Sequence, residues 1–127
     1  MVPSESASIS TEDLRAAATV LGVALTPQAA QRLVAFEALL DKWGRAYNLT
    51  ALKSAPAVRR GHLLDSLAVV APLARAAAGR PLRVLDVGSG AGLPGVVLAV
   101  SHPDWDVSCV EAVGKKAAFI RQAAAEL

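Results

Sequence analysis

The sequence has 127 residues, with 13 Lys plus Arg against 11 Asp plus Glu and a single Cys. One cysteine excludes an internal disulfide framework and a Cys-rich zinc site. A formal net charge of +2 excludes a polybasic chain, and 54% hydrophobic residues with a mean hydropathy of +0.41 exclude a disordered one. Alanine supplies much of that apolarity and points to helices. The length alone suits one domain. No internal repeat is visible. Met1 to Thr11 has neither a basic n-region nor an apolar h-region, and no apolar stretch reaches the ~18 residues of a membrane span. The expected setting is soluble, reducing and cytoplasmic, with no membrane partner.

Residues 1–9 read as a flexible tail, 10–80 as a helical region, and 81–127 as the start of an α/β domain. Ser10 followed by Asp13 and Leu14 is a helix start, and that helix should stop at Gly22. Thr26-Pro27 is a second start, cap then first turn. Leu33, Phe36, Leu40, Trp43 and Tyr47 then fall at spacings of 3, 4, 3 and 4, one face of a helix that should pack on the rest of the protein. Asn48-Leu49-Thr50 should end it. Pro56 opens a third helical pattern, with Val58, Leu64, Leu67 and Ala71 on one face and Pro72 near its end. Residues 73–80 continue helical to Gly79 and Pro81.

The period then changes. Leu82 to Val87 is short and rich in branched residues, bounded by Pro81 and Gly88, and reads as a strand. A glycine-rich turn leads to a helix ending near Ser101. Pro103-Asp104 marks a turn, Asp106–Val110 a second strand, and Gly114–Leu127 a helix with Ala117, Ile120, Ala124 and Leu127 inward. Cys109 lies in an apolar strand and reads as core. β-turn-α-β-α is the opening of a doubly wound parallel sheet.

The chemistry concentrates in Val84-Leu85-Asp86-Val87-Gly88-Ser89-Gly90-Ala91-Gly92-Leu93-Pro94-Gly95. Without Cβ atoms at 88, 90 and 92, the backbone can pass close to a ligand. Two ligands compete for such a turn. Gly90-x-Gly92-x-x-Gly95 matches the pyrophosphate-binding pattern of a dinucleotide site, but starts two residues after the strand has ended. Read from Gly88, its third glycine position is Leu93. The series from Gly88, with Asp86 before it, better suits S-adenosylmethionine, which carries a cationic ammonium and sulfonium and no phosphate. Glu111, at the end of the second strand, stands where a carboxylate accepts ribose hydroxyls, and both cofactors use one there.

Asp86 to Gly95 resembles the signature of the glucose-inhibited division protein B family, bacterial methyltransferases that make N7-methylguanosine in small-subunit ribosomal RNA. The Leu93-Pro94-Gly95 extension is its more specific part. Trp43-Gly44-Arg45-Ala46-Tyr47-Asn48-Leu49-Thr50, His62-Leu63-Leu64-Asp65-Ser66, Glu111-Ala112-Val113-Gly114-Lys115-Lys116 and Phe119-Ile120-Arg121 match in the same order. The resemblance covers about residues 27 to 127.

The resemblance implies an α/β fold, a Rossmann-like S-adenosylmethionine-dependent methyltransferase sheet with an N-terminal helical extension. It implies that Gly88 and Leu93 touch the methionine end of the cofactor through backbone groups. Gly90 and Gly92 permit close approach, and Glu111 holds the ribose. Asn48, His62 and Asp65 match motifs near the pocket mouth; the alternative is that Asn48 caps a helix and His62 pairs with Asp65. Lys115 and Lys116 either meet RNA phosphate or solvate a helix start. The implied partner is 16S ribosomal RNA in a ribosomal-subunit context. Neither a catalytic constellation nor a metal cluster is expected. N7 of guanine carries a lone pair and no proton, so its attack on a methyl group needs no general base; positioning carries the rate. The substrate guanine should be unstacked or in a structured loop, because N7 otherwise faces a deep, narrow groove.

A methyltransferase sheet of this kind has about seven strands, at about 30 residues per βα unit. The expectation is therefore a chain truncated after its second strand and the following helix, inactive by itself. A nicotinamide-dependent oxidoreductase and a non-enzymatic RNA- or protein-binding module are the alternatives.

Overall fold

The computed structural model describes residues 9–47 and 56–127, so Asn48 lies outside the described residues. In chain order the elements are α1 (Thr11–Val20), α2 (Pro27–Tyr47), α3 (Pro56–Ala77), β1 (Arg83–Val87), α4 (Gly95–Ser101), β2 (Asp106–Val110) and α5 (Gly114–Glu126). The architecture is α/β: three helices, then a β-α-β-α unit with two parallel strands.

The helix starts follow the cap chemistry. Ser10 Oγ accepts from Asp13 N at 3.1 Å, and Thr26 Oγ1 accepts from Ala29 N at 3.0 Å. Each satisfies an N–H that the first turn leaves without an intrahelical partner. α1 closes at Gly22, where Gly22 N donates to Thr19 O and Val23 N to Ala18 O, the paired bonds of a Schellman end. Arg15 Nε then ties the connection down by donating to Leu25 O at 3.0 Å.

α1 packs on α2 and α3, α4 on α2, α3 and β2, and α5 on α2 and α4. Leu14, Leu33, Phe36, Leu67, Val97 and Phe119 are fully buried in this shared core. Phe119 meets Phe36 at a centroid distance of 6.0 Å and Trp43 edge-on at 5.5 Å. These two contacts join α5 to α2. Leu33, Phe36 and Leu40 are buried and Trp43 packs against the core, as the stripe on the second helix predicts.

Two predicted faces need correction. On α3 the buried residues are Leu63, Ser66, Leu67, Val70 and Ala77, while Val58 is 49% exposed and Leu64 and Ala71 only partly covered. On α5 they are Phe119 and Ala123, with Ala124 exposed and Ile120 and Leu127 at the margin. Phe119 decides the second case, since the largest apolar side chain on the helix gains most from burial. α3 continues helical past Pro72 and ends at Ala77.

β1 and β2 pair in parallel, with Arg83 opposite Asp106, Asp86 opposite Cys109 and Val87 opposite Val110. Side chains alternate across the pair. Val84, Asp86, Val107 and Cys109 are half-buried; Leu85, Val87 and Val110 are 63%, 73% and 50% exposed on the other face. Between α4 and β2, His102 stacks on buried Trp105 at 4.1 Å. Among the described residues, no helix is long and apolar enough to cross a membrane.

Candidate functional site

The site lies where β1 and β2 end. The turn after β1 continues the sheet, with Gly88 N and Ser89 N both donating to Val110 O, at 2.8 and 3.1 Å. Ser89 is buried, and its Oγ donates to Asp86 O at 2.7 Å. Ser89 O in turn accepts from Gly92 N and Leu93 N, at 2.9 and 3.2 Å. Ser89 thus closes the turn on both sides, by its hydroxyl on one and its main-chain carbonyl on the other.

Asp86 projects to the face that α4 covers. Its Oδ2 accepts from Gly95 N, the first residue of α4, at 3.0 Å. Pro94 precedes the helix and supplies no side-chain cap, so the strand's own carboxylate fills that place. At Gly95 the helix comes close to both strands. A Cβ there would collide with Cys109 Sγ and stand 2.9 Å from Asp86 Oδ2. The same packing buries the Cys109 thiol, which pushes its pKa up despite the hydrogen bond with Ser89.

Gly90 has φ +58° and Gly88 φ +72°, and a Cβ at either would meet nothing within 4 Å. Both positions need glycine for the backbone conformation and both open onto free space. Gly92 differs: a Cβ there would fall 2.6 Å from Val96 Cγ2, so this glycine packs against α4.

Glu111 closes the other side. Oε1 accepts from Gly90 N at 2.7 Å, and Oε2 accepts from Val113 N at 2.9 Å. These bonds, Val113's first and Gly90's second, hold its pKa below the ordinary value, helped by the charge of Lys116. The carboxylate therefore joins the turn after β1 to the entry of α5.

The structure brings Asp86, Gly88, Gly90, Gly92 and Glu111 into one hydrogen-bonded unit. Leu93 packs partly buried against the core beside it. Lys116 is half-buried near Glu111, and Lys115 is exposed on the first turn of α5. His62 and Asp65 are exposed on α3 and make no hydrogen bond or ion pair with each other among the described residues. Asp65 lines an apolar groove with Ala17, Val20 and Leu64, between α1 and α3, that includes no residue of the glycine turn. A cavity of about 350 Å³ lies behind the turn, between α4, β2 and α5, lined by Val96, Val107, Cys109 and Ile120. It belongs to the helix–sheet packing. Among the described residues no three His, Cys, Asp or Glu side chains gather as a metal site.

Sequence reasoning did not single out Ser89, the Val113 N–H or the carboxylate of Glu37. Ser89 stands between two glycines, a position that requires a small side chain, and its burial was the readable part. A main-chain N–H leaves no mark in a sequence. Glu37 is 4% exposed on α2, with Oε2 buried and without a hydrogen-bond partner. Burial raises its pKa, against the pull of Arg60 and Arg59. One turn on, Asp41 pairs with Arg45 and with Arg59, the latter at 3.1 Å.

A strand-turn-helix with glycines at the close approaches and a carboxylate ending the next strand is an arrangement that nucleotide-type cofactors use in α/β proteins. The family model for rRNA small subunit methyltransferase G matches residues 29–127. The chain belongs to that family. It is 53% identical over 116 residues to the ribosomal RNA small subunit methyltransferase G of Leptothrix cholodnii, covering 91% of this chain and 53% of the relative. The protein of the same name from Bordetella avium is 49% identical, over 90% of this chain and 51% of its own length. That from Methylibium petroleiphilum is 51% identical, over 91% and 52%. The chain thus spans about half the length of the curated relatives it matches. No solved structure matches it.

Proposed function

We propose that these residues form the cofactor-binding front of an S-adenosylmethionine-dependent methyltransferase, acting on N7 of a guanine in 16S ribosomal RNA within the small ribosomal subunit. The relatives' names support the RNA substrate. The cofactor is supported by one observation: six main-chain donors of the glycine turn are already spent. The N–H groups of Gly88, Ser89, Gly90, Gly92, Leu93 and Gly95 all point to acceptors within the protein. A dinucleotide's pyrophosphate needs such donors free at the helix start. Here that place holds the Asp86 carboxylate, which repels phosphate and attracts a cation.

The residues fit a cationic, phosphate-free cofactor. Gly88 and Gly90 leave the space its chain would fill, Glu111 would accept ribose hydroxyls, and Asp86 sets a negative potential at the turn. S-adenosylmethionine supplies an electrophilic methyl group when bound. Guanine N7 has no proton to lose, so the protein's task is alignment of the two reactants in a water-poor site. Lys115 and Lys116 on α5 stand beside the turn, where RNA phosphate would pass. The substrate guanine would present N7 from an unstacked position.

Gly90→Ala tests this reading. The new Cβ meets no protein atom within 4 Å, so the fold should persist at a cost of about 1–2 kcal/mol for the left-handed backbone. S-adenosylhomocysteine, titrated calorimetrically, should bind the parent protein and bind the variant at least about tenfold more weakly, since about 1.4 kcal/mol is tenfold. Binding of NADH in place of S-adenosylhomocysteine would establish the oxidoreductase alternative and overturn the proposal.

A further inference from the structure

We infer that the main-chain N–H of Val113 is a positioning group for the cofactor, holding the Glu111 carboxylate in the orientation that receives a ribose. The inference rests on the proposed S-adenosylmethionine site and extends it to a residue whose side chain has no part in it.

A glutamate side chain has three rotatable bonds, so a free carboxylate at the rim of a site samples many positions. Ordering it on binding costs affinity. Here both oxygens are already fixed, Oε1 by Gly90 N at 2.7 Å and Oε2 by Val113 N at 2.9 Å. Each carboxylate oxygen can accept twice, so each retains a lone pair for a hydroxyl. The two anchors differ in kind. Gly90 belongs to the glycine turn, whereas Val113 is the N-cap residue of α5, a thirteen-residue helix whose Phe119 packs against Phe36 and Trp43. The Val113 bond therefore refers the carboxylate to the rigid part of the molecule. Nor does the helix ladder use this N–H: Val113 takes part in α5 through its carbonyl, which accepts from Ala117 N at 2.9 Å. The Val113 side chain itself is 49% exposed.

The backbone at Val113, φ −80° and ψ 115°, is one that proline adopts. Val113→Pro therefore deletes the single N–H while keeping the Glu111 side chain. Val113→Ala keeps the N–H and serves as control. S-adenosylhomocysteine should bind Val113→Pro about two- to tenfold more weakly than the parent, the range of one lost hydrogen bond. Val113→Ala should bind as the parent does.

The pH profile separates positioning from general loosening. The charged side chain acting on Glu111 is Lys116 of α5; the other lowering contributions are the N–H groups of Val113, Gly90 and Ala112. Ribose needs the ionised carboxylate, so parent affinity should stay level as pH falls toward 5. In Val113→Pro the Glu111 pKa rises, and affinity should begin to fall at a higher pH. The amide proton shifts of Gly90 and Val113 in the parent provide a measurement free of any folding defect in the variant. Both should follow one common titration with a midpoint below the ordinary glutamate value. Amides that titrate separately, or a Val113→Pro protein with parent affinity and parent pH profile, overturn the inference while the cofactor assignment stands. A parent protein that binds no S-adenosylhomocysteine overturns both.

Discussion

The helical region and the β-α-β-α region solve burial differently. α1 to α3 bury whole faces, from Leu14 and Leu33 to Leu67 and Val70. The two strands cover one face only, leaving Leu85, Val87 and Val110 exposed, although parallel sheets ordinarily have both faces covered. What closes the sheet region within this chain is borrowed. α4 packs on α2 and α3, and Phe119 reaches Phe36 and Trp43. The region that holds the proposed cofactor site thus leans on the helical region for its packing.

The strongest way to break that dependence is Phe119→Ala. Loss of a fully buried ring should cost about 3–5 kcal/mol. Urea unfolding followed by tryptophan fluorescence and by circular dichroism should show one earlier, coincident transition. Two separated transitions would show instead that the helices hold without the sheet.

Gly95→Ala attacks the contact between α4 and the strands. Overpacking against Cys109 and Asp86 should cost about 1–3 kcal/mol and should weaken cofactor binding by displacing the turn. Adding Cys109→Ala removes one of the two obstacles. The double variant should recover part of the loss, and strict additivity of the two changes would mean that the sites do not touch.

Glu37→Gln sharpens the comparison from the helical side, with the smallest effect. A carboxyl whose folded pKa is raised favours the fold below its unfolded pKa and disfavours it as pH rises through the folded value. At pH 7, above the ordinary glutamate value, burying this carboxyl is a burden. The variant should therefore melt about 1–3 °C higher, a gain that shrinks as pH falls toward 4.5. A lower midpoint at pH 7 would mean that attraction from Arg59 and Arg60 outweighs the burial.

Much of this was legible in the sequence, for reasons tied to particular residues. Ser10 and Thr26 announce helix starts because a side-chain oxygen there has a fixed geometric task. Asp106–Val110 reads as a strand because a turn before it and Glu111 after it bracket a short stretch carrying Val107, Cys109 and Val110. The inner faces of α3 and α5 were not legible. Between Leu63 and Ala71 apolar residues crowd nearly every position, and in α5 alanines repeat on several sides, so the pattern has no single phase. Packing against α4 and α2 decides it. At the site, sequence placed the two carboxylates but not their partners. That Asp86 serves Gly95, and Glu111 serves Gly90 and Val113, depends on main-chain directions that exist only once the strands are paired.

Those pairings also have a kinetic side. Asp86 and Gly95 are nine residues apart and Gly90 and Glu111 twenty-one. Loop-closure cost grows slowly with such lengths, and these separations are short beside that of Phe36 and Phe119. The Phe36–Phe119 contact spans most of the chain and must wait for it. On the ribosome, the glycine turn and its two carboxylates can take shape as soon as β2 and the first turn of α5 have emerged, with the aromatic lock that steadies them following as α5 lengthens.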